Sequence, residues 1–484
     1  MKRIVLSLAL LGALVSQKAA AQAFWTPQNN VYNTATGLGN GFRLAYVSVG
    51  VANSNVVWAV GGDLPPTTTP PTNYTFNKWA KSTDGGATWT KGDLQIGTGY
   101  TVGQFVAIDA NTAFVMSYGA TTGGGEVRRT TDGGATWVNL NGANQVNFTL
   151  AGSFPDAMTF FDANNGVVFG DPQPAGTGPF QVYTTSNGGN TWTRVPAANL
   201  PTPANADEYA LVGSIDRIGS TVWVGGTNQG GGNARVFKST DMGLTWTAGS
   251  TPFPDISNVN FTNATNGMVS SAPDIAVSNN GGTSFTPVSY TGPFYGQYDV
   301  EAVPGVAGTF VASGYRDPLT TANDYGTVIT RNSGQTWRQI DSTIVRYDIE
   351  IVSDALGYAV GNNTNPAAGQ NPGTNRAVYR NSRPFTQAIL SARNEAKNTL
   401  ALSVYPNPSR DGIFTLELPR ANREQKDVRV FDALGREVFR RQLNATSATA
   451  ANGLPLDLSS LKAGVYTLEL TTTDGTGRQK LVIE

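Results

Sequence analysis

The chain has no cysteine and no histidine. Without thiols there is no disulfide framework and no thiolate nucleophile. Without imidazole the commonest general base and the commonest zinc ligand are both missing, which excludes histidine-dependent triads and histidine-based metal sites. Charge is scarce: 14 % of the residues are ionic and the formal net charge of the 484-residue chain is −1. No strong field therefore draws it to nucleic acid or to an anionic membrane. Beyond the first 21 residues no apolar run is long enough to cross a bilayer, so no membrane span is expected in the mature chain. No Asp-x-Asp-x-Asp-Gly loop of the kind that cages calcium occurs, and neither a metal site nor a cofactor is expected.

Turn formers and aromatics are plentiful instead. There are 56 glycines and 26 prolines, and aromatic residues make up 10 % of the chain. That balance points to an all-β protein with many turns. Residues 1–21 read as a signal peptide, with basic Lys2 and Arg3, an apolar run from Ile4 to Val15, and small residues Ala19-Ala20-Ala21 before the cleavage point. One stretch then recurs. Ser82-Thr83-Asp84-Gly85-Gly86-Ala87-Thr88-Trp89 returns nearly unchanged at 130–137 and in looser form at 185–192, 239–246, 278–285 and 330–337. Its aromatic ends fall 48, 55, 54, 39 and 52 residues apart. A period near 50 residues in a strand-rich chain indicates stacked copies of one unit, as in a β-propeller.

The stretch has a mechanical explanation. Gly-Gly takes positive φ at no steric cost and so turns one strand back on the next. The preceding Asp84, Asp132 and Asp241, or Asn187, Asn280 and Asn332, can accept the turn's own N–H groups. Trp89, Trp137, Trp192, Trp246, Phe285 and Trp337 restart the chain and can cover the turn. This resembles the Asp-box, or bacterial neuraminidase repeat, a hairpin device that implies fold more than chemistry. Each copy is preceded by three short apolar segments, such as Tyr209 to Ile215, Val222 to Gly226 and Ala234 to Lys238, giving four strands per unit. Six boxes give six blades. Tyr347 to Val352, Gly357 to Gly361 and Ala377 to Asn381 supply three strands of a seventh. Phe24-Trp25-Thr26-Pro27 matches the missing tail of a box, so the N-terminal strand is expected to complete the last blade and close the ring, removing an open sheet edge. The predicted organisation is a signal peptide at 1–21, a seven-bladed propeller at 22–385, a linker at 386–400 and a small β-sandwich at 401–484.

The last segment opens with Tyr405-Pro406-Asn407-Pro408. It continues with Val430-Phe431-Asp432, Gly435-Arg436, Leu456 to Leu461, Ala463-Gly464-Val465-Tyr466 and a terminal Lys480-Leu481-Val482-Ile483. It resembles the type A sorting domain of the Bacteroidota type IX secretion system. The resemblance implies Sec export to the periplasm, handling of residues 401–484 by the secretion machinery, and delivery to the cell surface or the medium.

Residues 22–400 carry 19 basic and 24 acidic side chains. Ligands of propellers usually meet the mouth formed around the starts of the innermost strands. Arg43, Gln104, Asp156, Glu208, Asp255, Tyr298, Asp299, Arg346 and Tyr347 fall there, a polar binding mouth in pattern. Strand-start carboxylates also cap turns and stay solvated, so the pattern alone leaves both readings open. Phe42-Arg43-Leu44 resembles the first-strand start of sialidases, which implies an arginine cluster with Arg316 and Arg346 and a pair such as Glu208 with Tyr298. The boxes also resemble those of two-propeller xyloglucan hydrolases. Carboxylate pairs among Asp156, Asp255 and Asp299 could hydrolyse glycosides without histidine. The cadence of Trp58-Ala59-Val60-Gly61 and Gly357-Tyr358-Ala359-Val360-Gly361 before a box resembles seven-bladed assembly-factor propellers of photosynthetic organisms, which implies a non-catalytic scaffold. The expectation is a secreted propeller that binds an extracellular protein or glycan, with a glycoside hydrolase as the alternative.

Overall fold

In the computed structural model the described residues are 23–28, 42–50, 53–63, 76–119, 124–150, 152–174, 178–315, 325–342, 344–362, 376–387, 402–417, 426–432, 436–443, 454–472 and 475–484. The signal segment, residues 388–400 of the expected linker, Arg316 and the side chain of Arg43 lie outside them. The chain divides into two compact units, 1–391 and 392–484.

The first unit is a seven-bladed β-propeller. Its seven sheets each have four antiparallel strands. In six blades the four strands follow one another in sequence. Their innermost strands are Phe42–Val49, Tyr100–Ala107, Pro155–Phe160, Glu208–Ile218, Asn258–Phe261 and Asp299–Ala302. The seventh blade begins at Val345–Ser353, and its outermost strand is Trp25–Pro27, from the other end of the propeller sequence. Trp25 pairs with Asn381, Thr26 with Arg380 and Pro27 with Tyr379, as the box-like tail at Phe24 predicts. Each innermost strand packs on the next, and Val345–Ser353 packs back on Phe42–Val49, so the ring is closed.

Burial follows position in the blade. A second strand such as Gly166–Pro172 is buried on both faces and therefore reads as a continuous apolar run. A fourth strand such as Val138–Asn139 is exposed and needs no such pattern. The apolar side chains gather into seven clusters, one at each junction between adjacent blades. Blades 4 and 5, for instance, meet where Trp223 stacks on Phe261 with ring centroids 3.9 Å apart.

The repeated turn is held as its chemistry suggests. Thr88 donates its N–H to Asp84 Oδ1 at 2.8 Å and its hydroxyl to Asp84 Oδ2 at 2.6 Å, while Gly86 N–H donates to Ser82 Oγ at 2.8 Å. The same three bonds recur at Asp132 and at Asp241. These bonds hold the Asp84 and Asp132 carboxyls down at about 2. The turn also reaches sideways. Gly134, at φ +94, sits where a Cβ would come within 2.5 Å of the Trp79 ring of the preceding blade, so only glycine fits. Lys81 of blade 1 donates to the carbonyls of Ala110 and Gly133 of blade 2 at 2.7 and 2.9 Å. Arg129 of blade 2 bonds Gly188 O of blade 3, and Tyr358 of blade 7 bonds Gly85 O of blade 1.

A second set of stitches lines the axis. A side chain on one innermost strand bonds the backbone of the next at six of the seven junctions among the described residues. Ser48, Gln104, Asp216, Asp299 and Asp348 accept N–H bonds from Ala107, Met158, Phe261, Ile349 and Val47, and the Asn260 amide donates to the Val300 carbonyl.

The second unit is a β-sandwich. A three-stranded sheet of Ser403–Tyr405, Ile413–Glu417 and Leu454–Asp457 and a four-stranded sheet of Glu437–Leu443, Lys426–Phe431, Gly464–Thr472 and Gly475–Ile483 share one core. Phe414, Leu416, Val428, Leu456, Leu468 and Leu481 fill it. Alternation is strict on the first sheet, where Ile413 and Thr415 flank buried Phe414 and Leu416.

The closing strand carries a testable load. Trp25 is buried against Phe24, Phe385 and the Arg346 guanidinium. Trp25→Ala is expected to destabilise the propeller by about 3–5 kcal/mol, the usual range for truncating a buried aromatic. The check is calorimetry of the full chain, in which the transition of the sandwich unit should stay where it is.

Candidate functional site

Antiparallel order puts the box turns and the first hairpin turns at one end of the propeller, as the bond from Gly85 N–H to Asn55 O records. The starts of the innermost strands lie at the opposite end, the expected mouth. Five of the seven innermost strands change register near that end, at Leu44/Tyr46, Val102/Gln104, Pro155/Ala157, Ala210/Ile215 and Arg346/Asp348. A bulge re-aims the extra side chain, and bulges concentrate beside functional surfaces. Here the extra residues include Asp156 and Tyr347. In blade 4 the bulge is four residues long, Leu211 to Ser214, with Val212 exposed. It reaches past blade 3 to blade 2, because a Cβ on Gly103 would meet Val212 Cγ1 at 3.0 Å.

The structure separates the residues expected at the mouth. Arg346 is fully buried at 0 % exposure, paired with Asp341 at 2.7 Å and sandwiched between Trp25 and Tyr379. It stabilises the closed seventh blade and does not face solvent. Glu208 is buried and receives two 2.6 Å bonds from Arg235. Asp255 accepts a bond from the Ser271 hydroxyl at 2.9 Å. Gln104 and Asp299 serve as axial stitches. Tyr298 and Tyr347 stay at the mouth and meet edge to face with centroids 5.0 Å apart, and Tyr315 lies 5.9 Å from Tyr298.

Asp156 is 3 % exposed and lies beside Asp171 of the neighbouring strand, and one buried oxygen of each carboxyl has no hydrogen-bond partner among the described residues. Burial, and then the Asp171 charge, push the Asp156 carboxyl well up; burial pushes Asp171 up to about 7. Two neighbouring carboxyls out of water do not both ionise readily, so the pair retains a proton. Tyr118 and Tyr209 stand within their field.

A second acidic group lines the axis. Asp216 of blade 4, Asp299 and Glu301 of blade 6, and Asp348 and Glu350 of blade 7 act on one another across the channel. Burial is the largest cause in each case. It raises Asp216, Asp299 and Glu350 to about 7 and drives Glu301 and Asp348 well above the ordinary range. Arg217 opposes the rise at Asp216 and Glu350. The sequence reading missed Asp171, Asp216, Glu301 and Glu350 as site residues. A signal was present: Tyr298-Asp299-Val300-Glu301 and Tyr347-Asp348-Ile349-Glu350 repeat one pattern at one place in two blades. Among the described residues no three acids are grouped so as to hold a metal ion.

Residues 403–484 match the family of the secretion system C-terminal sorting domain. The C-terminal sandwich is a sorting domain. Its presence indicates secretion to the cell surface or the extracellular space. Solved structures similar to the chain are β-propeller proteins. YCF48 from Cyanidioschyzon merolae is 16 % identical, with 74 % of this chain and 98 % of that chain covered and a TM-score of 0.46. The GH74 enzyme of Niastella koreensis is 13 % identical, covering 91 % of this chain and 66 % of that one, with a TM-score of 0.43. The Hadza microbial sialidase Hz136 is 11 % identical, covering 75 % and 68 %, with a TM-score of 0.40. No curated protein matches the chain.

The channel acids predict a pH dependence. Carboxyls of an unfolded chain ionise near pH 4, whereas the channel acids keep their protons to about pH 7 or beyond. Across that window the unfolded state binds fewer protons, so stability falls as pH rises. The propeller should melt lower at pH 8 than at pH 5. Glu350→Gln, which fixes a neutral side chain of the same shape, should raise the pH 8 melting temperature and leave the pH 5 value nearly unchanged. A melting temperature that climbs from pH 5 to pH 8 in the native chain would contradict the placement of these protons.

Proposed function

We propose that the mature chain is a non-catalytic binding propeller, exported through the type IX secretion system, that presents its mouth to a protein or glycan outside the cell. One observation carries the reading: the carboxylates best placed for catalysis have structural partners. Glu208 is tied to Arg235, Asp255 to Ser271, Asp299 to the Ile349 N–H and Asp156 to Asp171. Glycoside hydrolysis asks for two carboxyls roughly 5–9.5 Å apart with the sugar between them. Asp156 and Asp171 stand side by side, with no room for a sugar between them.

The hydrolase alternative keeps one observation in its favour. Asp171 is only partly buried and is a carboxylic acid held protonated to about pH 7, the condition for a general acid. A glycan array combined with a polysaccharide-turnover screen on the mature chain separates the two. Capture of a ligand without release of reducing ends is the expected result. Turnover that disappears in Asp156→Asn, Asp171→Asn, Asp255→Asn or Asp299→Asn would replace the binding reading with the hydrolase. The export half has its own check: in a host with the type IX machinery, removing residues 403–484 should leave the protein in the periplasm, seen by cell fractionation.

A further inference from the structure

Blades 6 and 7 share a feature that neither the folding stitches nor the sorting domain accounts for. Each opens its innermost strand with Tyr-Asp-x-Glu, where x is β-branched: Tyr298 to Glu301 and Tyr347 to Glu350. The Asp in each case bonds the next blade's backbone. The tyrosine and the glutamate do other things. Tyr298 is 40 % exposed although it belongs to an aromatic group with Tyr315 and Tyr347. Tyr347 stands in a bulge, without which the strand alternation would aim it elsewhere. Glu301 and Glu350 lie three residues further along their strands than the tyrosines, about 10 Å at the rise of a β-strand. They feel each other and Asp216 across the channel.

We infer that the mouth at blades 6 and 7 receives a lysine or arginine side chain of a protein partner, whose stem packs on the tyrosine faces and whose charge meets the channel carboxylates. The inference rests on the binding reading above and names its partner chemistry. Two arguments select this occupant. Tyrosine rings beside carboxylates form a surface suited to a cation with an apolar stem, through cation–π attraction and ordinary burial. The acids run down the channel instead of closing into a cage, which fits an elongated cation better than a bare metal ion. Charge complementarity points the same way. Five acids face one another with Arg217 as the cation that acts on Asp216 and Glu350 among the described residues, and an incoming positive charge would let carboxyls that now hold protons ionise.

The test uses the full mature chain and three labelled pentapeptides, Gly-Ser-Lys-Ser-Gly, its Nε-acetyl-lysine form and Gly-Ser-Arg-Ser-Gly, titrated by fluorescence anisotropy at low and high salt. The lysine or the arginine peptide is expected to bind, with affinity about tenfold lower after acetylation, which keeps the stem and removes the charge. Tyr298→Ala and Glu350→Gln should each weaken binding by about fivefold or more, while Asp162→Asn, at an exposed acid in the first hairpin turn of blade 3 at the opposite end, should leave it unchanged. Melting curves confirm that each variant is folded, and Glu301→Gln serves in place of any that is not. Equal binding of the acetylated peptide overturns the inference. So does equal loss in Asp162→Asn, or binding of glucosamine where neither cationic peptide binds. Glycan or protein capture that persists without cationic-peptide binding sinks this inference alone and leaves the scaffold intact. Turnover abolished by Asp171→Asn sinks the scaffold reading instead.

Discussion

Everything in the propeller depends on how one blade holds the next. A four-stranded blade has two faces to bury and too little apolar surface of its own to bury them, so stability resides in the seven junctions. Each junction is built in layers. Apolar side chains form the middle of all seven, the repeated turn reaches across where Lys81, Arg129 and Tyr358 bond it or its neighbour, and at six of them among the described residues a polar side chain bonds the neighbouring backbone at the axis. Such a ring tolerates no open junction, because an open edge exposes an apolar face and a row of unpaired amides. The strand Trp25–Pro27 answers that constraint by binding the seventh blade to the start of the chain. The buried Arg346, stacked between Trp25 and Tyr379 and paired with Asp341, shows how completely that strand covers what lies behind it. Removing its partners would leave a buried charge without compensation.

The axial stitches have an electrostatic consequence. Asp216, Asp299 and Asp348 satisfy backbone amides of the next blade, yet they do so along the axis, where Glu301 and Glu350 lie within their field. Carboxyls crowded out of bulk water retain protons, and the channel becomes a place where added positive charge is favoured. One set of residues therefore both closes the ring and sets the character of its mouth. The Asp156–Asp171 pair at the third blade follows the same rule with only two members.

Much of the architecture was legible in the chain before any coordinates. The period of the Gly-Gly turns, the four segments per repeat and the box-like tail at Phe24-Trp25 led to seven blades and N-terminal closure, because turn chemistry and strand alternation are local properties. The mouth was less legible. Arg43, Gln104, Asp156, Glu208, Asp255, Asp299 and Arg346 share a place near the starts of innermost strands, but strand-start position does not say where a long side chain goes. Arg346 runs back across its own blade into the core, and Glu208 is claimed by Arg235 from two strands away. Tyr347 and Asp156 reach their positions through bulges, which leave no mark in composition.

The sequence by itself determined the all-β class, the blade count, the closing strand and the sorting domain, since each is written as a short pattern whose physical cause lies within a few neighbouring residues. Only the tertiary structure decided which polar groups at the mouth are spent inside the fold and which face outward. That division depends on contacts between residues tens to hundreds of positions apart, such as Asp348 with Val47 or Tyr358 with Gly85. It also depends on burial, which turns ordinary carboxylates into the proton-holding acids of the channel.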